Sequence, residues 1–222
     1  MLKRRLLLTI GHTVVRREDS GVWIPSALYQ EVTRPDGPDG RIERTHVYRP
    51  GLDPNGANAY LGGGQAVVSA LHRLWNLDGD ADVAVIGGTP PSMTKHFGAE
   101  VADVTEAGVM AKYFAPAGIL VTAIGGTKNT EDDMRELMKL AQSYERTTVV
   151  AMGFRLPRVR LFLRDFALRN PSLLATARNV DFSDAEQFLP EQFNDFVAMH
   201  QSAAYRRTMS QERFDVRRLL GA

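Results

Sequence analysis

Two rhythms of apolar residues alternate along the 222-residue chain. Short apolar or β-branched runs at 6–10, 83–86, 119–124 and 147–152 have little polar interruption, as strands buried on both faces of a parallel sheet do. Between them the apolar positions recur every three or four residues. The stretch 65–76 puts Ala66, Val67, Ala70, Leu71, Leu74 and Trp75 on one helical face, and 130–144 does the same with Met134, Leu137, Met138 and Ala141. Helices are also predicted over 104–115 and from Pro157 through Arg169, Pro157 standing in the first turn where its missing N–H is harmless and Asn170-Pro171 closing the segment. Strands that alternate with helices predict an α/β fold: a three-layer sandwich around a mostly parallel sheet.

Two segments break the alternation. Residues 18–64 carry little helical pattern. Leu28–Thr33 and Ile42–Tyr48 flank Pro35-Asp-Gly-Pro-Asp-Gly40 and read as a β-hairpin insertion, about 22–50, of the kind that forms a lid or specificity loop. From Ser183 the chain turns to helical stretches bearing Phe188, Phe193, Phe196, Val197 and Tyr205, with Ser183-Asp-Ala-Glu186 patterned as a capping box. This predicts an α/β domain over 1–180 and a C-terminal helical extension over 181–222. The extension is expected to pack on the same domain, with a homodimer through these helices as the other reading.

Composition narrows the chemistry. The chain has no cysteine, which removes disulfides, thiolate nucleophiles and cysteine-based zinc sites. A net charge of +1 supplies no global field for nucleic acid or an anionic membrane. Lys3, Arg4 and Arg5 precede Leu6-Leu-Leu8, but the apolar run stops at Thr9 and Gly11, so a first buried strand is expected rather than a signal peptide or span. The expected location is cytoplasmic.

The candidate chemistry lies at successive strand ends. Glu106 opens the helix that follows Gly87-Gly88 and is the candidate general base; alternatively, Asp103-x-x-Glu106 is a capping box in which it only reaches back to the Asp103 amide. Gly125, Gly126, Thr127, Asn129 and Thr130 form a second turn with amides and short donors suited to an anion, one of them also serving as the helix cap. Arg155 and Arg158 bracket a helix start, the end where the macrodipole disfavours a cation, so they demand an anionic partner: a ligand, or a carboxylate of the protein such as Glu106. His12 is the one histidine at a strand end. Gly62-Gly-Gly64 lacks the Lys-Ser/Thr of a P-loop, and Asp78, Asp80 and Asp82 lack the Gly and Glu of a calcium loop. No metal site is expected.

The order of these words resembles the ElyC/SanA/YdcF-type domain, a bacterial domain of unknown function. Its Ser-Gly-Gly strand end, Glu-Ala helix start, Asn-Thr turn and His-x-Pro-Arg-like turn correspond to Ile86-Gly87-Gly88, Glu106-Ala107, Asn129-Thr130 and Phe154-Arg155-Leu156-Pro157-Arg158. The resemblance covers about half the chain. It implies a Rossmann-like fold and an anionic, nucleotide-like ligand, with S-adenosylmethionine suggested by a soluble branch. Arg155 stands where that family commonly has His, so a His-based role does not carry over.

Together these features predict an enzyme, a transferase or phosphate-ester hydrolase, acting on an anionic phosphorylated or nucleotide-like small molecule at the C-terminal edge of the sheet. The alternative is a non-catalytic metabolite-binding or regulatory protein linked to envelope biogenesis.

Overall fold

The computed structural model describes residues 3–11, 14–34, 43–48, 51–90, 93–94, 97–189 and 199–221, with backbone alone at 31–34 and 43–48. In chain order the principal elements are β1 (Lys3–Ile10), β2 (Val14–Arg17), β3 (Trp23–Pro25), β4 (Leu28–Arg34), β5 (Glu43–Tyr48), β6 (Ala59–Leu61), α1 (Gly64–Asp78) and β7 (Asp82–Ile86). There follow α2 (Glu106–Ala111), β8 (Val121–Ile124), α3 (Thr130–Ala141), β9 (Tyr144–Ala151), α4 (Leu156–Arg169), α5 (Leu174–Arg178), β10 (Val180–Asp184) and α6 (Ala203–Leu220).

The central sheet has the order β10-β9-β1-β7-β8, and every pairing in it is parallel. Strand alternation sends successive side chains to opposite faces. Leu7, Val83, Val85, Val150 and Met152 join α1 and α2 in one core. Leu6, Leu8, Ile10, Ala84, Ile86 and Val149 join α3 and α4 in the other. The fold is therefore the expected three-layer, Rossmann-like α/β sandwich. Its chain leaves β1 to one side through β7 and β8, then returns to β1's other side through β9 and β10. The strand order thus reverses between β1 and β9, and in open α/β sheets ligands bind outside the strand C-termini at such a switch point.

The hairpin forms as expected: β4 and β5 pair antiparallel from Gln30↔Val47 to Arg34↔Glu43. Its turn, 35–42, lies outside the described residues. The insertion is larger than a hairpin, however. It is a second five-stranded sheet, β3-β2-β5-β4-β6, in which β2 and β5 pair in parallel.

Two boundaries differ from expectation. The helix predicted over 104–115 is the short α2 followed by a 3-10 turn, Ala115–Ala117; Pro116 would clash with the carbonyl of Lys112 in a continued α-helix. Ser183 is not a cap but part of the edge strand β10, paired with Val150. Asp184 caps instead, its carboxylate accepting from the Glu186 N–H at 3.0 Å. Lys3, Arg4 and Arg5 form ion pairs with Asp82, Asp80 and Asp78, which accounts for the aspartate run as a charged sheet end.

Among the described residues no helix is long and apolar enough to cross a membrane. The helix α6 lies on the domain itself. The Thr208 hydroxyl donates to the Leu61 carbonyl and accepts from its N–H, and Arg207 donates to the Ala59 carbonyl at 2.8 Å.

Candidate functional site

A cavity of about 190 Å³ sits at the switch point. Ile10 and Gly11 at the end of β1 and Ala151 at the end of β9 form its floor, Thr130 and Asp133 of α3 and Arg155 and Arg158 at the start of α4 form its walls, and Asp215, Arg218 and Leu219 of α6 cover it. Strand and helix ends collect here because the sheet is parallel. Every crossover helix starts at the edge where its preceding strand stops.

Behind Gly11, on the β7 side, lies Glu106. Thr105 caps α2, its Oγ1 accepting from the Gly108 N–H at 3.0 Å, and the Glu106 N–H donates to the Gly88 carbonyl at 3.0 Å. The capping-box reading of Glu106 is thereby overturned: Thr105 does that work, and the Glu106 carboxyl turns inward. Gly11 and Gly87 make room for it. A Cβ on Gly87 would stand 3.0 Å from Glu106 Oε2, and one on Gly11 would stand 3.2 Å from the same oxygen. Gly11 also has φ +35°, a backbone conformation that glycine adopts without steric cost.

Glu106 is deeply enclosed, though solvent still touches part of it. Burial pushes its pKa up from 4.5 to about 8; the Arg155 charge opposes this, Asp133 reinforces it, and Arg158 opposes it again. Its carboxyl makes no hydrogen bond among the described residues. Asp133 is the second carboxyl here, its Oδ2 3.9 Å from where a Gly11 Cβ would sit. Burial raises its pKa too, against a hydrogen bond from Thr127. Glu106 can therefore hold and pass a proton near neutral pH, with the Asp133 carboxyl on the other side of the same glycine.

The arginines have protein partners. Arg155 donates to the Gly11 carbonyl at 2.8 Å, tying β9 to β1 across the switch point, and its Nε lies 3.4 Å from Glu212 Oε1. Arg158 meets Glu212 Oε2 at 3.2 Å and Asp215 Oδ2 at 2.8 Å. The intramolecular carboxylates that two arginines at a helix start demand are thus Glu212 and Asp215 of α6. Both arginines act on Glu106 through their charge, opposing the rise that burial causes.

Of the residues singled out in the sequence, Thr130, Arg155 and Arg158 line the cavity, and Glu106 and Gly87 adjoin it through Gly11. The other described ones are not part of its lining. Asn129 caps α3, its Oδ1 accepting from the Asp132 N–H at 3.0 Å. Gly88 and Gly125 serve close packing: an added Cβ would lie 1.7 Å from the Thr127 carbonyl oxygen and 2.5 Å from Thr105 Oγ1, respectively. Thr127 is buried against Gly88, Gly126 is exposed, and His12 lies outside the described residues. Asp133, Glu212, Asp215 and Arg218 were not expected. The signal for the α6 pair was present as spacing: acids at 212 and 215 match the three-residue step between Arg155 and Arg158.

Compared with protein-family models, curated proteins and solved structures, the chain matches none.

Proposed function

We propose that the chain is an enzyme that binds a small phosphorylated or nucleotide-like molecule at the switch point between β1 and β9 and uses Glu106 to move a proton. The observation that carries this reading is the cavity itself: it lies where parallel sheets bind ligands, and two guanidinium groups reach it beside carboxyls of raised pKa. Arg155 and Arg158 hold the anionic group of the ligand, and the N-terminus of α4 adds its favourable dipole. Glu106, protonated at neutral pH and ionised above about 8, donates to or accepts from a reacting hydroxyl. The motif order that resembles the ElyC/SanA/YdcF-type domain supports the same placement, since Glu106 and Arg155 follow β7 and β9, the two strands that flank β1 at that sheet edge. Group transfer and phosphate-ester cleavage are the reactions these groups suit.

The test is a panel of nucleotides, sugar phosphates and S-adenosylmethionine, screened first by thermal shift and then for turnover. A ligand that stabilises the protein is expected to be turned over, with a limb near pH 8 in kcat/KM that Glu106→Gln removes. Binding without turnover refutes the enzymatic reading and leaves a metabolite sensor.

A further inference from the structure

Glu212 and Asp215 do more than neutralise charge at the cavity. They put three carboxylate oxygens against two guanidinium groups: Glu212 Oε1 on Arg155, and Glu212 Oε2 and Asp215 Oδ2 on Arg158. Together they carry two negative charges. Three oxygens and a double negative charge are what a phosphate monoester dianion presents to a pair of arginines. We propose that α6 is a displaceable cover whose Glu212 and Asp215 occupy the subsite of a ligand phosphate monoester, so that ligand binding releases the C-terminal half of α6.

This rests on the reading of the cavity as an anion site, and three observations carry it further. First, the internal fit is incomplete. Glu212 is 6% exposed, yet its Oε2 is buried without a hydrogen-bond partner, the contact with Arg158 being an ion pair alone. Arg158 is itself a disfavoured cation, because burial and the neighbouring Arg155 charge both oppose it. Second, the two halves of α6 are held differently. The first is fixed by Thr208 to Leu61, by Arg207 to Ala59 and by the Ala204 N–H to the Pro54 carbonyl at 2.9 Å. The second is held over the cavity by its ion pairs and Leu219, while Phe214 and Leu220 remain 60% and 62% exposed. Third, Asp215, Arg218 and Leu219 are part of the cavity wall. A ligand that fills the cavity therefore meets this half of the helix.

The double substitution Glu212→Gln/Asp215→Asn removes the internal competitor and keeps its shape. Methyl phosphate, titrated calorimetrically at pH 7.5 and low salt, is expected to bind the variant at least tenfold more tightly than the wild type. Equal affinity in both, abolished in each by Arg158→Met, overturns the competitor role and leaves the anion site standing. No measurable binding in either overturns both. Because the double variant strands two partly buried arginines, its folding is checked by thermal melting, and the wild type supplies an independent readout. Saturating methyl phosphate is expected to speed amide hydrogen exchange over 213–221 and to leave 203–208 unchanged. Unchanged or slower exchange over 213–221 at saturation overturns the proposal whether or not the variant folds.

Discussion

Replacing Glu106 by glutamine removes a titrating group and preserves its shape, which turns the unusual acidity of this carboxyl into a stability measurement. In the unfolded chain it titrates near 4.5 and in the folded protein at about 8. Below pH 4.5 both states hold the proton, so the carboxyl contributes no difference. Between 4.5 and 8 the folded protein retains a proton that the unfolded chain has released, and stability falls as pH rises. Above about 8 both states are ionised and the whole penalty is in place. At about 1.4 kcal/mol per pH unit, that interval amounts to roughly 5 kcal/mol. Solvent contact and relaxation around the ionised carboxylate reduce it, and about 2 kcal/mol is the smallest value compatible with the burial described. The assay is urea unfolding of wild type and Glu106→Gln from pH 5 to pH 9. The stability difference between the two proteins cancels groups they share, such as Glu186, whose pKa is raised to about 7 by burial and Asp184. The variant is expected to gain on the wild type steadily with pH and to level off above 8. A difference that stays flat within about 0.5 kcal/mol across this range refutes the placement of Glu106.

Three further outcomes are expected. Gly87→Ala brings a methyl group 3.0 Å from both Cβ and Oε2 of Glu106, so it is expected to cost about 1–3 kcal/mol in urea unfolding and to move the Glu106 pKa measured by carboxyl ¹³C NMR. Gly88→Ala meets a backbone carbonyl oxygen, which yields less readily than a side chain; a loss of about 3 kcal/mol or more is expected, seen as a lowered thermal midpoint. Thr208→Val leaves both Leu61 backbone groups without their hydroxyl partner and is expected to cost about 1–3 kcal/mol, with faster amide exchange at Leu61.

The fold was legible because its signals are local. The leucines of β1 and the helical stripe from Met134 to Ala141 each fix an element whatever its neighbours do, and their alternation fixes the layers. The strand β10 escaped notice because an edge strand buries little: Val180 is buried but Asp181 is exposed, so no apolar run marks it. Arg155 and Arg158 could be read as cations needing an anion, since that argument requires only a helix start. Their partners were marked only by the matching three-residue step, because Glu212 and Asp215 stand more than fifty residues away and look like ordinary charges on a polar helix. Glu106 was ambiguous for a local reason. Thr105 and Asp103 are both acceptable caps, and only the packed turn against Gly125 decides between them.

The central claim is that ligand phosphate binds at the switch point between β1 and β9. Amide chemical-shift mapping of the ¹⁵N-labelled protein during a methyl phosphate titration locates the site without presuming a reaction. The amides of Gly11, Thr130 and Arg155 are expected to shift together along one saturation curve. Saturable shifts confined to another surface, such as the cavity beside Trp23 and Tyr113, with these three amides silent, would contradict the claim.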